Sequence, residues 1–352
     1  MRQRLRHALV AVAAIATACA YDGTGSYQQP PPTAPPPPPP PAASLVDGLW
    51  TSSGSDPALL RLGATQLGAS GTIAAGTTVT TASASLVALN SIAFDDAGTM
   101  WIASQHDSLL LGFAAGRLET TKVAIATHVL SNTNRSLAGP TGLAFDRQFR
   151  LWVANYESGT IVSYEPAQLS AGGPQVPRVT LTGVAHPTTL AFDAAGALWV
   201  SDNQANRLAK FGPAKLAASG APAPDVIIDS LPGSLNIPAG LAFDADGRLW
   251  VANTGGRTIL AFTPAQLAVG GALNPAVVIT PSSRSVTMPT GLAFDAAGAL
   301  WVVSGDGLLA KYDRSAIATS GSPDASASLR VDAHVLFWSL AFWPKVKALP
   351  IN

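Results

Sequence analysis

Three residues after each of six tryptophans stands a small polar side chain. Ser53, Ser104, Asn155, Asp202, Asn253 and Ser304 follow Trp50, Trp101, Trp152, Trp199, Trp250 and Trp301. Gathered at one end of a ring, such residues would make a binding rim of hydroxyls, amides and a carboxylate around a central opening. The same residue types also cap strand ends and start turns by bonding nearby backbone, a use that needs no ligand. Neighbouring loops add further polar groups. The candidate ligand-binding set is therefore Asn155, Asp202, Asn253, Ser304, Ser104, Asn90, His186 and Arg257.

No catalytic set stands out. His106, His128, His186 and His334 are scattered without metal-ligand spacing. The chain has no Gly-x-Ser-x-Gly elbow, His-Glu-x-x-His pair or phosphate loop. Asp244-Ala245-Asp246-Gly247 resembles the start of a calcium loop but lacks the later ligands. Its counterparts Asp193-Ala194-Ala195-Gly196 and Asp295-Ala296-Ala297-Gly298 mark it as a turn. No cofactor or metal is expected on these grounds, with a divalent cation left open as the alternative. A formal net charge of zero supplies no electrostatic footprint for nucleic acid.

The elements that must hold these residues follow from a repeat. The tryptophans are spaced by 51, 51, 47, 51 and 51 residues. Phe94, Phe145, Phe192, Phe243 and Phe294 each stand seven residues before a tryptophan. Phe342 has no such tryptophan after it and Trp50 no such phenylalanine before it, so the two incomplete ends complement each other. Within one unit, 241–244 is a short apolar strand, Ala245-Asp246-Gly247 a tight turn and Leu249 to Ala252 a strand apolar on both faces. A strand of that kind must be covered on both sides. Third and fourth strands are expected at Thr258–Phe262 and Ala276–Thr280. Between them Thr263-Pro264-Ala265-Gln266-Leu267 has proline at a first helical position and reads as one helical turn.

Four strands per unit and a period near fifty residues predict an all-β fold, a six-bladed β-propeller. Its last blade is closed by Ser339 to Trp343 pairing with the N-terminal strand. Two departures are visible. Phe149 stands where blade three should carry its turn glycine, which predicts a different or strained turn, and Trp343 replaces the turn aspartate of the closing strand.

Pro-Thr-Gly-Leu-Ala-Phe-Asp-x-x-Gly-x-Leu-Trp-Val-Ala-Asn, seen with small changes at 140–155 and 289–304, resembles the NHL-type repeat. It is also similar to the gluconolactonase-like, strictosidine-synthase-like and virginiamycin-lyase-like propellers. The resemblance covers nearly all of 49–343 and implies architecture more than function. Gluconolactonase-like enzymes hold a divalent metal at the axis through residues just before the innermost strands. The matching positions here are Asn90, Thr141, Thr188, Ala239, Thr290 and Trp338, which include no carboxylate. A hard cation needs several oxygen ligands, so the resemblance does not carry the metal-dependent hydrolase over to this chain. The virginiamycin lyase is seven-bladed, and six tryptophans do not fit seven blades.

The N-terminus reads as an export signal. Arg2, Arg4 and Arg6 precede an apolar run from Ala8 to Ala18 that is too short to span a bilayer. Ala16-Thr17-Ala18-Cys19 resembles a bacterial lipobox, in which the chain's single cysteine would be lipidated. Ordinary cleavage after Ala20 is the alternative. The expected domains are a signal peptide at 1–18, a Pro-rich tether at 19–43 and the propeller at 44–352. Such a chain would be monomeric, exported and lipid-anchored in the cell envelope. Its head would be a non-enzymatic binding or scaffold module, taking a protein, glycan or small ligand at its loop-rich face. A divergent gluconolactonase-like or virginiamycin-lyase-like hydrolase or lyase is the alternative.

Overall fold

In the computed structural model the described residues are 48–53, 58–81, 89–132, 135–231, 234–282, 286–331 and 337–343. Cys19, the signal, the tether, His334 and the tail after Trp343 lie outside them. The chain forms six mostly antiparallel sheets, and the innermost strands of successive sheets touch one another in a closed cycle. It is a six-bladed β-propeller.

Blade one is assembled from both ends of the chain. Phe337–Trp343 is its innermost strand and pairs antiparallel with Gly48–Ser53, opposing Phe342 to Leu49. Blades two to six begin at Leu89–Phe94, Pro140–Phe145, Pro187–Phe192, Pro238–Phe243 and Pro289–Phe294. Each runs outward through a second strand that ends at Ser104, Asn155, Asp202, Asn253 or Ser304.

In blades two to six the second strands are buried along their whole length, as with Leu249–Asn253. Apolar residues on both of their faces leave no solvated side, and the neighbouring blades supply the cover. The core accordingly divides into six clusters, one in each gap between blades. Tryptophan from one blade meets phenylalanine from the next: Trp152 and Phe192 have ring centroids 6.2 Å apart, and Trp250 and Phe294 6.0 Å. Edge-on geometry of this kind adds to the area both rings bury.

Near the axis, the glycine of Pro-x-Gly is a matter of clearance. A Cβ on Gly142 would sit 2.5 Å from the Thr188 carbonyl oxygen of the next blade, and one on Gly240 2.7 Å from that of Thr290. Blades that carry serine there use it differently. Ser91 Oγ accepts from the Leu143 amide and Ser339 Oγ from the Ile92 amide, so each hydroxyl ties an inner strand to the next.

Turn aspartates do more than turn the chain. Asp244 Oδ1 accepts from the amides of Asp246 and Arg248, while Oδ2 accepts from the Trp250 indole at 2.8 Å. The same indole-to-carboxylate bond is made by Asp95, Asp146, Asp193 and Asp295. In blades three and five the cation over the tryptophan is Arg150 or Arg248 from the hairpin. In blades four and six it is Lys210 or Lys311 from the third strand. Blade one lacks the aspartate, and the buried Trp50 Nε1 has no hydrogen-bond partner among the described residues.

The sequence reading missed an outer ring. Past each helical turn the chain extends briefly and pairs in parallel with the outermost strand of the preceding blade. Gly173–Pro174 joins His128–Ser131, and Gly271–Ala272 joins Val226–Asp229. Paired glycines make the corner: Gly172 and Gly173 have φ of 63° and 70°, a region costly for any side chain. Lys122–Ala124 does the same for blade one. Single bridges at Leu181–Gly220 and Ile279–Gly321 serve blades three and five, and Gly71–Ile73 closes the circle on blade six. Every outermost strand is thereby given a partner along part of its edge, which limits edge-to-edge association.

Candidate functional site

The strand-two ends and the strand-one beginnings share one face, together with the loops that join successive blades. On that face Ser104, Asn155, Asp202 and Ser304 are fully buried and Asn253 is 1% exposed. Their polar atoms hold loops. Asn155 Nδ2 donates to the Ser136 carbonyl and to Thr160 Oγ1, and its Oδ1 accepts from the Ala138 amide. Asn253 repeats the arrangement with Ser234, Thr258 and Asn236. Asp202 instead pairs with Arg207 at 3.2 Å, because arginine replaces the threonine five residues on. Ser104 donates to Asp107, and Ser304 accepts from the Met288 amide. Nothing is described of the Ser53 side chain.

The remaining candidates are less enclosed. Asn90 is part-buried at the top of the blade-two inner strand, and its Nδ2 donates to Gln105 Oε1 at 2.6 Å. His186 packs its ring 5.2 Å from that of Tyr156, whose hydroxyl accepts from Gln204 at 2.8 Å. Arg257 is exposed in a hairpin at φ 56°. Asn90, His186 and Arg257 stand on different blades, and no hydrogen bond or ring contact joins them.

At the axis each inner strand shifts register near its start, as between Pro140 and Gly142 or Pro289 and Gly291. Such bulges break the ladder and re-aim side chains. The residues at these shifts are Asn90, Thr141, Thr188, Ala239, Thr290 and Trp338. Trp338 is 44% exposed, unlike the buried tryptophans of the blade cores. The mouth of the ring thus carries an open indole, an amide and hydroxyls, with no ionised side chain among the six. Among the described residues no three His, Cys, Asp or Glu approach closely enough to hold a metal ion.

The opposite face, formed by the strand-one to strand-two hairpins, holds a feature the sequence did not signal. A cavity of about 460 Å³ opens across the hairpins of blades three, four and five and the helical turn of blade four. Arg147, Gln148, Arg150, Phe192, Pro213 and Leu216 are among its walls. Phe149, flanked by two of these, has φ 57°, so the substitution of the turn glycine does force the strained conformation.

No protein-family model matches the sequence, and no curated protein is significantly similar to it. Solved structures do match. A chain of a nidogen/laminin complex superposes with a TM-score of 0.59 at 13% identity, covering 84% of this chain and 98% of that one. A protein of unknown function from Bacteroides caccae gives 0.58 at 10% identity, covering 85% and 99%. Virginiamycin B lyase from Staphylococcus aureus gives 0.53 at 12% identity, covering 77% and 79%. Identities this low speak to fold alone: the chain shares the β-propeller architecture with proteins that bind and proteins that catalyse.

Proposed function

We propose that the chain is a non-enzymatic binding module, exported and lipid-anchored through Cys19, that takes its ligand at the loop-rich face. The observation that carries this reading is the division of labour on that face. Buried Asn155, Asp202, Asn253, Ser104 and Ser304 fix the loops, and the six positions at the mouth of the ring, Asn90, Thr141, Thr188, Ala239, Thr290 and Trp338, carry no ionised side chain. Rims held rigid in this way lose little entropy on binding. An exposed indole beside amides and hydroxyls suits a neutral polar ligand such as a saccharide, which stacks on an aromatic face and satisfies hydrogen bonds at its edge. Asn90, Gln105, Tyr156, His186 and Trp338 would make first contact.

The test is titration of the protein with a panel of neutral oligosaccharides. Saturable binding that Trp338→Ala or Tyr156→Ala weakens at least about tenfold, roughly 1.4 kcal/mol, supports the reading. Binding unaffected by either variant refutes it. Membrane fractionation of Cys19→Ser tests the anchor: release into the soluble fraction is expected. The alternative, a divergent hydrolase or lyase, makes its own prediction. Turnover of quinupristin, the compound seen with an inactive virginiamycin B lyase, or of simple lactones would favour it.

A further inference from the structure

The cavity on the opposite face is distinct from the loop-rich rim, and its charges do not balance. Three turn aspartates border it, and each already has a cation. Asp146 pairs with Arg150 at 2.6 Å, Asp193 with Lys210 at 3.5 Å and Asp244 with Arg248 at 2.7 Å. Their indole and turn bonds occupy the carboxylates further. Arg147 remains. It has no carboxylate within ion-pair distance among the described residues, and one Nη donates to the Ala194 carbonyl of the next hairpin. That contact stretches the guanidinium from the blade-three hairpin to that of blade four while leaving N–H groups free, and a planar fork is suited to a carboxylate.

The hairpin that supplies Arg147 is unlike its siblings. Blades two, four, five and six read Asp-Asp-Ala-Gly, Asp-Ala-Ala-Gly, Asp-Ala-Asp-Gly and Asp-Ala-Ala-Gly, whereas blade three reads Asp146-Arg147-Gln148-Phe149. Small residues and a glycine give way to long side chains at consecutive positions. One of them, Phe149, is held in a left-handed backbone and is 37% exposed. Turn formation does not call for any of these changes, and the last works against it. Strain kept at one hairpin beside a cavity points to use. Apolar surface lines the rest: Phe192, Pro213, Leu216 and the methyls of Ala194 and Ala195.

We infer that this cavity binds a small organic carboxylate with an apolar body, its carboxylate on Arg147 and its chain against Pro213, Ala194 and Ala195 over the edges of Phe192 and Leu216. The site is independent of the saccharide reading of the other face. Titration calorimetry with octanoate and octanamide tests it on the full protein. Octanoate should bind with a Kd of about 0.1–1 mM, in keeping with the efficiency of small ligands. Octanamide and the Arg147→Ala variant should each weaken binding at least about tenfold through loss of the charge-assisted pair, and Arg147→Lys should keep part of it. Trp338→Ala should leave octanoate binding unchanged, so failure at one face is distinguishable from failure at the other. No saturation below about 10 mM, or equal affinity for octanoate and octanamide, would overturn the inference.

Discussion

Replacing Asn253 with alanine separates a loop-holding residue from a ligand-binding one. The side chain is 1% exposed and satisfies the Asn236 amide at 2.6 Å and the Ser234 carbonyl at 2.9 Å. Truncation leaves the buried Ser234 carbonyl without its partner, at about 1–3 kcal/mol, while the amide of the exposed Asn236 is rehydrated at smaller cost. The expected destabilisation is therefore about 1–4 kcal/mol, a fall in melting temperature of roughly 3–12 °C for a domain of this size. Asn253→Asp should also destabilise, because a carboxylate would face the Ser234 carbonyl where an amide now donates. Blade four shows the remedy: Asp202 is tolerated beside Arg207, the residue in register with it. Asn253→Asp combined with Thr258→Arg should thus recover part of the loss, a coupling that a double-mutant cycle measures. Urea unfolding followed by tryptophan fluorescence is the assay. An Asn253→Ala protein within about 0.5 kcal/mol of the parent would refute the reasoning.

Other consequences follow from the same packing. Trp250→Phe removes one of the bonds to the Asp244 carboxylate, which keeps Arg248 and its turn amides, whereas Trp50→Phe removes a donor that has no partner among the described residues. The first should cost about 1–2 kcal/mol more than the second in thermal melts. Gly142→Ala drives a Cβ into backbone of the next blade and should cost about 2–3 kcal/mol, while Gly173→Ala, with open space around it, should cost only the conformational strain of about 1 kcal/mol. Burial pushes the fully buried Tyr164 hydroxyl from 10.0 up to about 12, against a smaller lowering by Ser136. A raised pKa means that the unfolded chain gives up this proton first. The stability it contributes is complete below pH 10 and disappears as pH rises toward 12. Tyr164→Phe should flatten the alkaline limb of stability against pH, a slope of up to about 1.4 kcal/mol per pH unit.

The blade architecture was legible because its causes are local and repeated. Trp152 and Phe192 declare themselves by spacing, and Phe342 and Trp50 declare the closure by what each lacks. Phe149 announced its strained turn. What spacing could not show was which partners a polar residue finds. Asn155 reads alike whether it faces a ligand or the Ser136 carbonyl, because the bond depends on a loop placed by tertiary packing. Only the pairing of Asn with Thr in blades three and five against Asp with Arg in blade four hinted at an inward role. The rim pairings went unseen for a related reason: Gly173–Pro174 has no apolar alternation, since it is ordered by a neighbour's backbone rather than by its own side chains. The cavity depends on three hairpins at once, and the unusual blade-three hairpin was its sole trace in the sequence.

The staggered closure has a further consequence. The inner seam is made by the C-terminal strand beside Gly48–Ser53, but the outer seam is made by Gly71–Ile73 lying on blade six. The two seams are different bonds at different radii, so neither terminus can peel away and leave an intact neighbour behind it. An open array of repeats frays from its ends, and its partly melted forms are populated one unit at a time. A circle fastened in this manner has no end unit from which to fray. Its calorimetric trace should show one transition whose van't Hoff and calorimetric enthalpies agree, with the number of blades invisible in the melt.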